Sequence, residues 1–510
     1  MITTIEKQDI TEIEKIEQVV GVESTANALE KDEDAQRLED LGYKQEFKRE
    51  ISLLVQAGFA FSTMAVLPNW LVGFGGTISS GGPMSLFWGF IVVSPFVMCI
   101  ALSMAEVFSA YPVNGGIYSW CYLLSTPDWG PLMSWICGYM FVAALLTSSM
   151  TVVYTMTEYV IAAYNILHEK QINDLGANIG LFVAFLVLGV AYSYLGLKFN
   201  GYLNKFMVFW VLCSTLIVVI AMPVMADTHP SARWVFTEFR NTTGWQNSGL
   251  TFLLGMLQAG WSLIGYENGA HIAEGTLNAS KTGPKGVLCS VFLAIIQAIV
   301  ICIATLFSIQ DIEELQSSSF PVATLFIRAT SPNVAAFLLS IIAISQFGCL
   351  CNVIVATGQL IWAMARDGCI PNHQFWYKLH GKRQIPLRIF ILVAVISIIL
   401  VIPILASSVY WSAIMSTSVI CANVAYGLPC LCRLIWARDI PKGPFNLGSV
   451  ILCIPTVNPV SPETMNWSCL MIGIVLFFAL SFWQISGRKY YKGPMQTVND
   501  KKAQNDEQHL

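Results

Sequence analysis

The run LFWGFIVVSPFVMCIALSMA, residues 86–105, contains no charged side chain. About 20 apolar residues of helix cross a bilayer's hydrocarbon core, and a helix is one of the few structures that satisfies its own backbone there. Residues 203–226 and 389–405 form comparable runs. Counting apolar stretches between polar breaks gives about twelve candidate spans of membrane-crossing character. They lie near 52–76, 84–108, 131–165, 177–195, 203–224, 248–273, 285–308, 333–364, 387–405, 409–434, 447–458 and 467–486. Only 12% of the 510 residues are charged, against about a quarter in soluble chains, so no soluble reading fits. The expected fold class is an all-α polytopic membrane protein embedded in a lipid bilayer.

Composition narrows the function. The net charge of -4 stems mainly from the acidic first residues, and no basic stripe with interleaved aromatics marks a nucleic-acid partner. Most of the fourteen cysteines sit inside apolar runs, where a free thiol acts as a small hydrophobe. Cys430 and Cys432 have no second ligand pair nearby, so neither a metal site nor any other cofactor is expected. With no nucleophile–base arrangement and no phosphate loop, an enzyme is not expected either. The polar residues 1–50 read as a disordered cytosolic tail, 51–486 as the membrane domain and 487–510 as a second cytosolic tail. Lys198, Lys205, Lys281, Lys285, Lys378, Lys382, Arg383, Arg388, Arg433, Arg438 and Lys442 fall in loops on the N-terminal side, against Lys170, Arg233, Arg240 and Arg328 on the other. The positive-inside rule therefore puts the N-terminus in the cytosol and the sequon Asn241-Thr242-Thr243 outside.

Two spans depart from a plain helix. The first reads GFAFSTMAVLPNWLVGFGGTISSGGP (58–83), and the sixth GWSLIGYENGAHIAEG (260–275), rich in glycine and carrying two glutamates and a histidine. They open two successive groups of five spans, about 51–225 and 248–434. A break frees backbone N–H and C=O groups that hydrocarbon cannot satisfy but a substrate or polar cavity can. Interruptions at matching positions in two halves point to a transporter's binding site, whereas a single one would read as close helix packing.

Several segments carry a family resemblance. LGYKQEFKRE (41–50), SSGGPMSLFWGF (79–90), MAEVFSAYPVNGGIYSW (104–120), TTGWQNSG (242–249) and GYENGAHIAE (265–274) are followed by FSIQDIEEL (307–315), Ala365-Arg366-Asp367, GPFNLG (443–448) and TMNWSCL (464–470). In order and spacing they resemble the fungal amino acid/choline transporters of the amino acid–polyamine–organocation superfamily, near the GABA, choline and thiamine permeases. The resemblance implies twelve helices with two inverted five-helix repeats, and uptake of small amines or amino acids coupled to an ion gradient. One departure stands out. Between GPFNLG and TMNWSCL the apolar part is only about 449–457, half a crossing, so helix eleven reads as shortened.

Glu267 matches an acidic family position just after the unwound part of helix six, and can exchange protons or pair with a substrate amine. Trp261 and Tyr266 offer ring faces to a cationic nitrogen. Ser62, Thr63 and Met64 match the place where helix one unwinds, exposing N–H groups to a carboxylate. Glu106, Arg366 and Asp367 fall at cytosolic helix ends as inner-gate positions, and Glu158 near the outer end of span three as a further gate or substrate candidate. His271 and Glu274, three apart on one face, read as a cap for the cytosolic end beside Lys281 and Lys285, with a proton relay as the alternative. The functional expectation is a proton-coupled secondary transporter importing an amino acid or related amine such as GABA, in the plasma membrane or alternatively a vacuolar or other endomembrane. A choline, thiamine or polyamine carrier and a non-transporting nutrient sensor are the rival readings.

Overall fold

Among the described residues, ten apolar segments fold into helices long enough to cross a bilayer: Leu53–Val72, Gly82–Ala110, Gly130–Leu167, Leu175–Ser193, Leu197–Met225, Ser248–Gly275, Ala279–Leu306, Pro332–Arg366, Leu387–Ile404 and Ala413–Trp436. They are called spans one to ten. The structure is a computed structural model describing Gln36, Leu38, Glu39, residues 41–447 (except 44, 169, 170, 173, 382, 383, 406, 407 and 437–439), 476–488, 491, 493 and 494. The expected short helix eleven (449–457), most of both tails and the first part of span twelve lie outside these residues; Leu476–Ile485 is a shorter apolar helix within the expected twelfth.

Local chemistry sets the helix starts. Pro83, Pro131 and Pro332 stand in the first turns of spans two, three and eight, where a missing N–H has no helical partner to lose. The Asn247 side chain accepts the Leu250 N–H (3.1 Å) to cap span six. Short helices Phe74–Ser79, Ala232–Thr237, Ile312–Ser317 and Pro321–Ala329 gather at the end of the bundle where span one finishes. Ile117–Leu124 and His373–Trp376 lie at the other end, with Lys198, Arg388 and Arg433. This is the basic end below, and its opposite the far end.

The contacts between spans repeat when each span is exchanged for the one five places on. Span one packs on six, two on seven, three on eight and four on nine. Likewise span one meets seven as six meets two, and span three meets ten as eight meets five. Five crossings separate the equivalents, so the two groups run in opposite senses. In spans one and six the pairing is antiparallel: Leu53–Met64 lies against Tyr266–Gly275, and Val66–Val72 against Ser248–Ser262. Spans one and eight are the most enclosed, while four and nine are mostly open to the surroundings. The interior of the bundle thus runs along spans one and eight.

Candidate functional site

Span one breaks at a single residue. Helix Leu53–Met64 ends on Ala65, whose φ of 41° and ψ of 53° are left-handed, and helix Val66–Val72 begins directly after it. An L-residue pays about 1–2 kcal/mol for that conformation, so surrounding packing must hold it. Pro68 does not make the break; it sits in the first turn of the second half, where proline is tolerated. Span six breaks over Leu263, Ile264 and Gly265 and resumes as tighter turns over Tyr266–Gly275. Gly265 has φ +108°, and a Cβ there would stand 3.2 Å from Thr63 Cγ2. The two breaks face each other across that glycine.

Between them lies a cavity of about 30 Å³, room for two or three waters and too little for an amino acid without side-chain movement. Thr63 and Asn69 line it from span one, and Trp261, Ile264, Gly265, Glu267 and Asn268 from span six. Phe141, Ala144, Leu145, Ser148 and Val152 of span three, Cys349 and Val353 of span eight, and Ala422 of span ten close the rest. Glu267 is 1% exposed; its Oε2 accepts the Tyr426 hydroxyl, which itself accepts the Gly265 N–H (3.3 Å). Glu267 Oε1, Asn268 Oδ1 and Trp261 Nε1 are buried with no hydrogen-bond partner in the protein. Buried polar atoms are rarely left so, and these three belong to residues of the cavity wall.

Of the residues expected at the site, Thr63, Trp261 and Glu267 line the cavity. Ser62 turns away into a polar cluster joining spans one, five and eight, where Asn352 Nδ2 donates to Ser62 Oγ (2.6 Å) and Asn204 Oδ1 (2.7 Å). Met64 is buried in the core, and Tyr266 packs 5.3 Å from the Tyr426 ring; neither lines the cavity. Glu158 stands toward the far end of span three, one helical turn beyond Tyr154. Glu106 pairs with Arg433 at the basic end (2.5 Å).

Arg366 and Asp367 belong to a buried cluster at the same end. Both Arg366 terminal nitrogens reach Glu274, each at 3.1 Å, and the guanidinium lies 4.1 Å over the Tyr43 ring. Asp367 accepts the hydroxyls of Tyr118 and Tyr43. Burial pushes the Asp367 carboxyl up to about 7, against the opposing pull of Arg366 and the tyrosine hydroxyls. Glu274 also exchanges bonds with Asn114, and so is an ion-pair partner deep in the cluster, not a cap beside Lys281 and Lys285. His271 is fully buried, its Nδ1 3.0 Å from Asn114 O. Its expected companionship with Glu274 therefore runs through the Asn114 loop.

Sequence reasoning missed Asn69 and Asn268 on the cavity wall, and Tyr426, which donates to Glu267. Asn268 follows Glu267 directly and could have been found from that neighbourhood. Tyr426 is one of 17 tyrosines in the chain, with nothing local to separate it.

Ten spans among the described residues, arranged by a five-span exchange around two facing helix breaks and a small cavity, define a polytopic helical membrane protein with an internal repeat. The family profile for amino acid permeases matches residues 51–485. An amino-acid permease BAT1 homolog of Oryza sativa subsp. japonica is 30% identical, over 91% of this chain and 96% of that protein. BAT1 of Arabidopsis thaliana is 27% identical over the same shares, and amino-acid permease 2 of Neurospora crassa 28% identical over 90% of this chain and 88% of that protein. The chain belongs to the amino acid permease family.

Proposed function

We propose that the chain imports a small amino acid, or a closely related amine, by alternating access at the cavity between the two breaks, coupled to protons. The observation that carries this reading is the unmet pair on one cavity wall: Glu267 Oε1 as acceptor and Trp261 Nε1–H as donor. A zwitterion supplies the complement of both, an ammonium for Glu267 and a carboxylate for the indole N–H and nearby backbone. The Trp261 ring adds a face for the cationic end, a contact worth roughly 0.5–2 kcal/mol. Choline and thiamine lack a carboxylate and offer the Trp261 N–H only neutral acceptors, a weaker match than the anionic end of an amino acid. The small volume of the cavity favours a short substrate. Relatives named as amino-acid permeases support the same class.

Proton coupling rests on Glu267, the ionisable carboxylate among the cavity's described lining residues. A buried carboxylate beside a departing ammonium is stabilised by taking a proton. The basic end is taken to face the cytosol, with the exposed sequon at Asn241 outside, and the plasma membrane is the proposed residence. Uptake of a labelled panel of amino acids, GABA, choline and a polyamine, with and without a proton uncoupler, tests the reading. Saturable, uncoupler-sensitive uptake of an amino acid is expected. Uptake of choline alone refutes the substrate, uptake indifferent to the uncoupler refutes the coupling, and binding without uptake makes the chain a sensor.

A further inference from the structure

Two glutamines occupy equivalent places under the five-span exchange. Gln56 stands before the break of span one and Gln258 before the break of span six. Each donates its side-chain amide to the half of the other span that follows the break. Gln258 Nε2 is 2.7 Å from both Asn69 O and Trp70 O. Gln56 Nε2 is 2.7 Å from Gly269 O, and its Oε1 accepts the Thr276 hydroxyl at 3.0 Å. Both are buried, at 0% and 4% exposure, so these bonds have no water to compete with them.

Each slot is also floored by a glycine. A Cβ on Gly73 would stand 1.5 Å from Gln258 Oε1, and one on Gly269 2.7 Å from Gln56 Nε2. Each glutamine thus lies over a glycine of the other span, Gly73 at the end of Val66–Val72 and Gly269 within Tyr266–Gly275. The carbonyls of Asn69 and Trp70 belong to the last turn of Val66–Val72, where intrahelical donors run out. Separating either pair strips an amide and a carbonyl of partners inside an apolar bundle, which is costly unless water takes their place. Water can do so only from the end on which that pair lies.

We propose that Gln258 and Gln56 are paired latches: Gln258 holds the cavity shut toward the far end and Gln56 toward the basic end. Each releases when its own side hydrates, and one stays closed while the other opens. The inference rests on the alternating-access reading and assigns its two side-specific contacts.

Cys349 is a native reporter, since it lines the cavity with its sulfur 3.0 Å from Thr63 O. The rate at which a membrane-impermeant quaternary-ammonium methanethiosulfonate modifies it is read in right-side-out and inside-out vesicles of the full chain, with Cys349→Ser as the blank. Gln258→Met keeps the volume but removes the amide, and is expected to raise the far-side rate about tenfold or more, as loss of one or two buried hydrogen bonds would. The basic-side rate should not rise. Gln56→Met is expected to give the mirror result. A rise from both sides in either variant, or from neither, overturns the latches. Should a methionine variant fail to fold, Gln258→Asn and Gln56→Asn keep the amide but withdraw it by one methylene and must show the same side preference. The two failures separate: if substrate leaves wild-type labelling unchanged from both sides, alternating access falls and the latches with it. If substrate shifts the labelling but the glutamine variants show no side preference, the latches alone fall.

Discussion

Replacing Gly265 by alanine tests the geometry of the break directly. Its φ of +108° lies where an L-residue is strained by about 1–3 kcal/mol. The added methyl would meet Thr63 Cγ2 at 3.2 Å, Asn268 Nδ2 at 3.5 Å and Met64 N at 3.6 Å, the first of these tighter than a relaxed contact. Overpacking of that degree adds about 1 kcal/mol. The lower entropy of the unfolded chain returns about 0.4–1 kcal/mol. The net expectation is a destabilisation of about 2 kcal/mol, together with displacement of Thr63 from the cavity wall. Gly180 is the comparison: it lies inside the helix Leu175–Ser193 with nothing within 4 Å of a built Cβ. Gly180→Ala should gain about 0.5–1 kcal/mol from helix propensity. The assay is thermal unfolding in detergent, read by a thiol-reactive fluorophore, for which the buried Cys121, Cys137, Cys302 and Cys349 are built-in reporters. Gly265→Ala should unfold several degrees below wild type and lose uptake, and Gly180→Ala should unfold at or above it. Equal midpoints for the two variants would refute the claim that the break depends on a residue without a side chain.

Two further outcomes follow from buried polar groups. Asp367 lies beyond the end of span eight with its carboxyl raised to about 7 by burial, so the folded protein holds that proton more tightly than the unfolded chain does. Its contribution to stability is present at acid pH and is lost as pH rises from about 4 through about 7. Asp367→Asn, which mimics the protonated acid, should match wild type at pH 5 and exceed it at pH 8 in unfolding midpoint; wild type gaining on the variant over that range would show that the Arg366 ion pair outweighs burial. Asn352→Leu removes the donor to Ser62 and Asn204 and should cost about 2 kcal/mol, with Asn352→Ala no better; an unchanged midpoint would mean that the cluster does not tie spans one, five and eight together.

The membrane segments were legible because their signal is length and hydropathy, which lipid enforces on each helix separately. Span eight, read as 333–364, folds as Pro332–Arg366. The breaks were legible too, since clustered glycines and polar side chains are costly inside an apolar run unless the helix is interrupted there. Their residue-level placement was not: Pro68 drew attention, yet the turn falls on Ala65, an alanine held left-handed by its tertiary surroundings. Glu267, Trp261 and Thr63 could be picked from the neighbourhood of the breaks, whereas Met64 and Tyr266, equally near, point into the core. What the sequence hid were long-range partnerships. Arg366 meets Glu274 across 92 positions, and Tyr426 meets Glu267 across 159. A buried glutamine in an apolar helix is itself a signal, because an unmet amide is costly there, but Gln56 and Gln258 acquire meaning only when the antiparallel packing brings each over the other's glycine.

The central claim is that Glu267 and Trp261 receive the two ends of an amino acid. Uptake of a labelled amino acid by vesicles is therefore compared for wild type, Glu267→Gln and Trp261→Phe, with surface abundance matched. Glu267→Gln should abolish accumulation against a gradient. Trp261→Phe, which keeps the ring and removes the N–H, should weaken amino acid uptake about tenfold while sparing the corresponding amine without a carboxylate. Unchanged kinetics in Glu267→Gln, or equal losses for amino acid and amine in Trp261→Phe, would contradict the account.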